Sequence, residues 1–475
     1  MNSRTRLQSA LLSATLAGCL FGLASCGGGG GDAVVAESAS APITASPPAV
    51  PESPPATGGD TQPAKTFKIG GTVTGLVGTG LVLQSGTGED LPITANGSFA
   101  FSGEIPDGGS YAVTVKSQPS IMTRRCSVTD GGSVTGGSVT VSVECSVPAA
   151  RFAYVASSLT PRVTAYAINA VSGELTEVGA VSVGTQPGVA VHPSGRTAYL
   201  ISPSSPWVLQ FAIDSATGLM TPMLPARVIA GTQPVAIAVD PTGRFAYAVN
   251  RSANKVSAYT IDPTTGALTL VSSGAVTGGQ PNAVIVDPLG RFVYVANRQS
   301  GDVSAFVIDQ TTGLLSQAPV PTVSASGSPS DIAVDGTGKY AYATTSDTNM
   351  VTTFSISSDG SLIPVEVKSL APRNALARIA LETKGRYAYV AAQTSGDVEL
   401  LDIAQASGKL TSAAVFSLGI TASTVALAPQ GKFAYVTSYD DATVRAFTVD
   451  AATGALSSAT TTATPNGPRM LAFAR

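Results

Sequence analysis

The sequence predicts an all-β protein: a seven-bladed β-propeller closed by its C-terminal strand, preceded by a small β-sandwich. Three observations carry this reading. First, one strand-forming phrase recurs from Arg151 to the C-terminus, each copy marked by a tyrosine: Tyr154, Tyr199, Tyr247, Tyr294, Tyr342, Tyr389 and Tyr435. Successive tyrosines lie 45, 48, 47, 48, 47 and 46 residues apart. A fixed period of that length, filled with short strands, marks a propeller or another repeat array. Second, a glycine recurs in phase at Gly173, Gly218, Gly266, Gly313, Gly360, Gly408 and Gly454. Third, the array opens without the strand on which it ends, so its two ends complete one blade.

Arg291–Leu315 shows the phrase best. A strand runs to Asn297, a polar turn covers Arg298–Asp302, and a second strand runs to Asp309 before the Gly313 hairpin. A basic residue precedes each tyrosine strand: Arg151, Arg196, Arg244, Arg291, Lys339, Arg386 and Lys432. The hairpin chemistry is clearest in Asp262-Pro263-Thr264-Thr265-Gly266, where proline sets φ early and glycine supplies the left-handed residue. A third strand follows. A fourth opens with proline (Pro187, Pro234, Pro281, Pro329) or its equivalents at Leu376 and Ala422, and the last of the seven opens at Pro468. Phe292-Val293-Tyr294-Val295 is apolar on both faces, as expected of a sheet held between two others. One blade cannot bury both faces, so the ring must close.

Ahead of the array, Arg4 and Arg6 precede an apolar run to Ser25, the order of a secretory signal over residues 1–25. Leu23-Ala24-Ser25-Cys26 resembles the bacterial lipobox. That resemblance implies acylation of Cys26, membrane attachment through the lipid and, with Gly27 next, an outer-membrane lipoprotein of the cell envelope. Residues 26–65 are a Gly/Pro/Ala/Ser tether that cannot bury a core. Residues 66–148 carry short alternating strands with a hairpin at Asn96-Gly97, and resemble the Ig-like or prealbumin-like modules of bacterial surface proteins. Cys126 and Cys145 read as a disulfide in an oxidising compartment; metal ligation is the alternative, with the one histidine, His192, far along the chain. Residues 149–475 form the propeller. Net charge is −3 and no basic stripe is present, which gives no reason to propose nucleic acid as a partner.

The repeats resemble the bacterial YVTN propeller repeat, and Arg151–Arg475 resembles the seven-bladed lactonase family, whose named activity is 6-phosphogluconolactonase. The resemblance implies hydrolysis of a carboxylic ester in a sugar lactone. Near-uniform turns occupy one face of the ring, while variable polar turns containing Asn250, Arg251, Asn297 and Arg298 occupy the other. Variable loops on a rigid frame are where sites sit. At the channel mouth the expected lining is Asn282, Asp331, Arg373, Asn374, Arg378 and Arg469. Arg378 and Arg469 supply planar donors for an anion, and Asp331 a carboxylate to activate water. The competing expectation is that these side chains solvate an inert channel. No cofactor is evident; calcium or magnesium on Asp331 and Asn282 is left open. His192 fills a turn slot held elsewhere by Asp240, Asp287 and Asp335, on the face away from the mouth. Export argues for a non-phosphorylated lactone. The alternative is a non-catalytic envelope scaffold binding a protein or glycan.

Overall fold

The computed structural model describes residues 64–129, 131–370 and 375–475. The signal over 1–25, the lipobox Cys26, and the tether except for its last two residues lie outside them.

Residues 66–146 form two four-stranded sheets around one apolar cluster that includes Leu81, Leu83, Phe101, Val141 and Val143. Thr66–Thr74 pairs in parallel with Val139–Ser146, and Cys126 lies directly opposite Cys145, to which it is disulfide-bonded. The strands Arg125–Val128 and Gly131–Ser133 were not anticipated. They are short, and Gly-Gly-Ser has no strand preference of its own; pairing with neighbours makes them strands.

Seven further four-stranded sheets follow, the blades. Their innermost strands are Pro468–Ala474 (blade I), Gly188–Val191 (II), Pro234–Val239 (III), Pro281–Val286 (IV), Pro329–Val334 (V), Leu376–Leu381 (VI) and Ala422–Leu427 (VII). Blade I is assembled from both ends of the array: Pro468–Ala474 pairs antiparallel with Phe152–Ser157. Inner strands of adjacent blades touch in order around the whole ring.

The repeated tyrosines bind one blade to the next. All seven are fully buried. Tyr154 donates to the carbonyl of Gly218 at 2.9 Å, Tyr247 to Gly313 at 3.0 Å and Tyr294 to Gly360 at 3.0 Å, each in the following blade's hairpin. The last, Tyr435, donates to Gly173 at 2.9 Å and so returns to blade I. A buried phenol needs such an acceptor, and burial pushes these hydroxyls above their ordinary pKa. The acceptor must be glycine for two reasons. Gly218 has φ of 76°, and a Cβ on it would lie 2.3 Å from the Phe152 ring. The preceding basic residues complete the joint: Arg151 lies over Phe152 at 5.5 Å while donating to Ser215 O across the same blade boundary.

The sandwich meets the ring on the hairpin face. Met122 N–H donates to Pro241 O at 3.0 Å, and Arg475 Nη1, just beyond the closing strand, donates to Met122 O at 2.9 Å. Thr123 thereby joins Val191, Val239 and Phe473 in lining a cavity of about 300 Å³ at that end of the channel.

Candidate functional site

At the opposite end lies a cavity of about 370 Å³ whose wall holds four arginines: Arg251, Arg298, Arg378 and Arg469. Two come from turns and two from inner strands. Arg251 and Arg298 follow the second strands of blades III and IV, and their backbone N–H groups are tied to Gln233 O and Gln280 O at 2.9 and 3.0 Å. Both glutamines have positive φ (55° and 52°) immediately before the proline that opens the inner strand.

The inner strands explain the other two. Nearly every one begins with a register shift against its neighbour, skipping Val235, Asn282, Ser330, Ala377, Ser423 or Arg469. Such a bulge re-aims a residue, and all six skipped residues line the mouth. The next residue along sits one layer deeper: Ala236, Ala283, Asp331, Arg378, Thr424 and Met470. Where blades III and IV place alanine, blades V and VI place an acid and a base.

Arg378 Nη1 donates to Asp331 Oδ1 at 3.2 Å, and the Ile379 N–H donates to Asp331 Oδ2 at 3.2 Å. Asp331 is buried, which pushes its pKa up against the opposing pull of Arg378. It lines a second cavity of about 320 Å³ beneath the mouth, and Arg378 borders both. Arg251 donates to Asn282 Oδ1 at 2.6 Å, and Asn282 in turn donates to Ser330 O at 2.8 Å. Arg469 lies 5.5 Å from the centroid of the Tyr439 ring. It reaches the rim yet is ringed by protein; partial loss of water lowers its pKa, with the charges of Arg378 and Arg298 acting in the same direction. The same causes act on Arg251, through lost water and then Arg298 and Arg469. The mouth is thus strongly cationic.

Of the anticipated residues, Asn282, Arg251, Arg298, Arg378 and Arg469 come together at the mouth and Asp331 lies just below. Arg373 and Asn374 lie outside the described residues. Asn250, read as a turn residue, ends its strand instead, and Asn297 ends its strand as expected; both side chains are buried, Asn250 donating to Ser257 and Asn297 to Ser304 and Asp302. Gln186, Gln393 and Ser330 also line the mouth and were not anticipated. The recurring Gln-Pro dipeptide was the available signal for Gln186. His192 stays in its turn on the other face: Nε2 donates to Gly243 O at 2.9 Å, and Nδ1 accepts from the Ser194 N–H at 3.1 Å. Burial lowers its pKa. Among the described residues no group of three or more His, Cys, Asp or Glu side chains could hold a metal ion. The donor set at the mouth does not suit calcium or magnesium: its one acid is paired with Arg378, and the surrounding guanidinium charges repel a cation. Trp207 is half-buried beneath Arg227, 4.7 Å from its guanidinium.

No curated protein matches this chain. Solved structures do. A provisionally assigned 6-phosphogluconolactonase from Bacteroides uniformis superposes with a TM-score of 0.61 at 17% identity, covering 69% of this chain and 100% of that one. The periplasmic gluconolactonase of Pseudomonas aeruginosa gives 0.59 at 17% identity, over 68% and 99% of the two chains. A Lactobacillus plantarum protein gives 0.61 at 17% identity, over 69% and 100%. At such identities the likeness is one of fold. The sequence profile described as "Lactonase, 7-bladed beta-propeller" matches residues 148–325 and 316–419, more than half of the chain. With seven blades closed through Pro468–Ala474, the chain belongs to the seven-bladed β-propeller lactonase family.

Proposed function

We propose that this protein hydrolyses a sugar lactone at the arginine-lined mouth. One observation carries the reading: four arginines line one cavity, and one of them, Arg378, is ion-paired to a buried carboxylate that lines the cavity below. In lactone hydrolysis water adds to the carbonyl carbon, negative charge builds on the carbonyl oxygen, and the ring C–O bond then breaks. Arg378 and Arg469 supply planar donors for that developing charge. Asp331 accepts from Arg378, the Ile379 N–H and the Ile332 N–H, and a carboxylate offers about four lone pairs, so it can still take a proton from the attacking water. The proton then passes to the departing ring oxygen, which leaves as a hydroxyl. His192 takes no part.

The checks are kinetic. Asp331→Asn is expected to lower kcat about 100-fold or more against glucono-δ-lactone. Arg469→Ala is expected to lower kcat/KM about tenfold or more. Asp331 acts deprotonated and its folded pKa is raised, so kcat/KM should climb with pH through a value above the ordinary carboxylate pKa of about 4 and then level off. That limb should vanish in Asp331→Asn. A purified protein that opens no sugar lactone sinks this reading. It would leave the second one, a non-catalytic envelope scaffold, which is favoured by the engagement of both Asp331 oxygens within the protein.

We further propose that the chain is an exported lipoprotein held in the envelope through Cys26. The lipobox supports this, and the Cys126–Cys145 disulfide agrees with an oxidising compartment. Cys26→Ala should release the protein from the membrane fraction; unchanged membrane retention refutes the anchor.

A further inference from the structure

A closed ring of blades leaves an axial channel with two ends. In this chain the end away from the arginines is occupied. Thr123 of the sandwich shares the cavity of about 300 Å³ with Val191 of blade II, Val239 of III, Val286 of IV, Pro429 of VII and Phe473 of I. Only a residue close to the axis faces five blades at once. Its neighbour Arg124 lines a separate cavity of about 400 Å³ with Leu289 of blade IV, Thr337 of V and Lys384 of VI. Two adjacent residues thus reach strands or turns of all seven blades. We propose that the turn at residues 121–124 stoppers the channel at its hairpin end, so that small solutes enter and leave by the arginine mouth alone.

The turn is held from both sides. Within the sandwich, the Arg124 N–H donates to Ile121 O at 3.3 Å, Ile121 is buried, and Cys126, two residues on, is disulfide-bonded to Cys145 in the neighbouring strand. On the ring side both backbone groups of Met122 are taken, and by different blades. Its N–H donates to Pro241 O of blade III, and its carbonyl accepts from Arg475 at the end of blade I. Gly243 closes the same blade III turn with φ of 74°, and a Cβ on it would lie 2.8 Å from the Met122 sulfur. The Met122 side chain is therefore packed against that turn.

Between stopper and mouth the cavities follow one another along the axis. The bottom cavity shares Phe473 with the one beside Asp331, and that one shares Arg378 and Met470 with the mouth. Closed at its foot, this column is a blind pocket with one opening. Whatever the mouth admits leaves past the same arginines. The inference concerns the route and holds whether or not a lactone is opened, so it does not rest on the hydrolase reading.

Thiol labelling at three depths tests it. In the full-length chain carrying Cys19→Ser and Cys26→Ser, single cysteines are placed at the mouth (Gln393→Cys), in the middle cavity (Ala426→Cys) and in the bottom cavity (Val239→Cys), each a partly exposed lining position. A sugar-sized maleimide is the probe, and each rate is divided by that of the same thiol in the urea-unfolded chain. Rates should fall about threefold or more at each step from mouth to bottom. A bottom rate equal to or above the middle one means that the channel is open below, and overturns the stopper. Adding Met122→Gly with Thr123→Gly should open the foot: Val239→Cys should label about tenfold faster than before, with Gln393→Cys unchanged. Met122 is exposed, Thr123 is half-buried, and neither belongs to the apolar cluster of the sandwich, so this variant should fold, with its melting midpoint as the check. Arg475→Ala, which removes one of the two clamps on Met122, should give a smaller gain in the same direction. No gain at Val239→Cys in either folded variant overturns the proposal. Labelling reads no turnover, so its failure leaves the hydrolase untouched, and absence of lactone hydrolysis leaves the stopper untouched.

Discussion

Removing Pro468–Arg475 is expected to unfold the propeller rather than shorten it. An open repeat array that loses a terminal unit keeps the rest, because each unit contacts only its neighbours. Here the last strand is the innermost strand of blade I, paired along its length with Phe152–Ser157. Its loss strips the partner from a fully buried strand and withdraws Ala474 from the apolar cluster between blades I and II and Leu471 and Phe473 from the one between VII and I. Several ladder hydrogen bonds at about 1 kcal/mol each, with burial of Met470, Leu471 and Phe473 at about 2 kcal/mol each, sum to on the order of 10 kcal/mol. That equals the whole net stability of many domains. The sandwich also loses the Arg475–Met122 contact. Circular dichroism and limited proteolysis should show no cooperative melt in the truncated chain. A melting midpoint within a few degrees of the full chain would mean that the ring is not held by this strand.

Arg378→Ala should cost about 3–5 kcal/mol at neutral pH, more than any other single change at the mouth. The cause is the stranded Asp331: its side chain is 9% exposed, and without Arg378 its charge has lost its ion-pair partner. The sign of the pH effect follows. Burial already raises the folded pKa of Asp331, and removing the arginine raises it further above the unfolded value of about 3.9. A carboxyl whose pKa is raised on folding is destabilising where it must be charged. The penalty should therefore grow as pH rises from about 4 and shrink again as pH falls toward it. Replacing both partners, Arg378→Met with Asp331→Leu, removes the charge and its need for a partner, and should cost far less than Arg378→Ala. Urea denaturation of the three proteins at pH 4 and pH 7 is the check. A double variant as unstable as Arg378→Ala would contradict the stranded-charge account.

Legibility differed sharply between frame and site. The blade count, the hairpin glycines and the closing strand could be read off because each is enforced by local or periodic chemistry: a left-handed residue needs glycine, and a repeat must be capped by itself. The arginines could be singled out as departures from small apolar positions. Their depth could not. Asn250 and Asn297 carry the same residue type as true loop positions, and only the packed blades show that their side chains end inside. Asp331 and Asn282 were grouped together as residues at the starts of inner strands, yet Asn282 is the residue that the register shift skips and Asp331 is the one after it, in register with its neighbour. Nothing in the spacing announces a bulge, because it arises when a strand must fit its neighbour.

By itself the sequence determined the architecture: seven copies of one phrase, a phase-locked tyrosine and glycine in each, and ends that complete one blade. These are properties of the period, and a period is visible in one dimension. Only the tertiary structure decided what the period accomplishes. The tyrosine of each blade bonds the glycine of the next, from Tyr154 and Gly218 around to Tyr435 and Gly173, a link across 262 residues. The four arginines meet at one mouth for the same reason. Residues far apart along the chain meet when the ring closes, and closure is a contact between ends that no local stretch encodes.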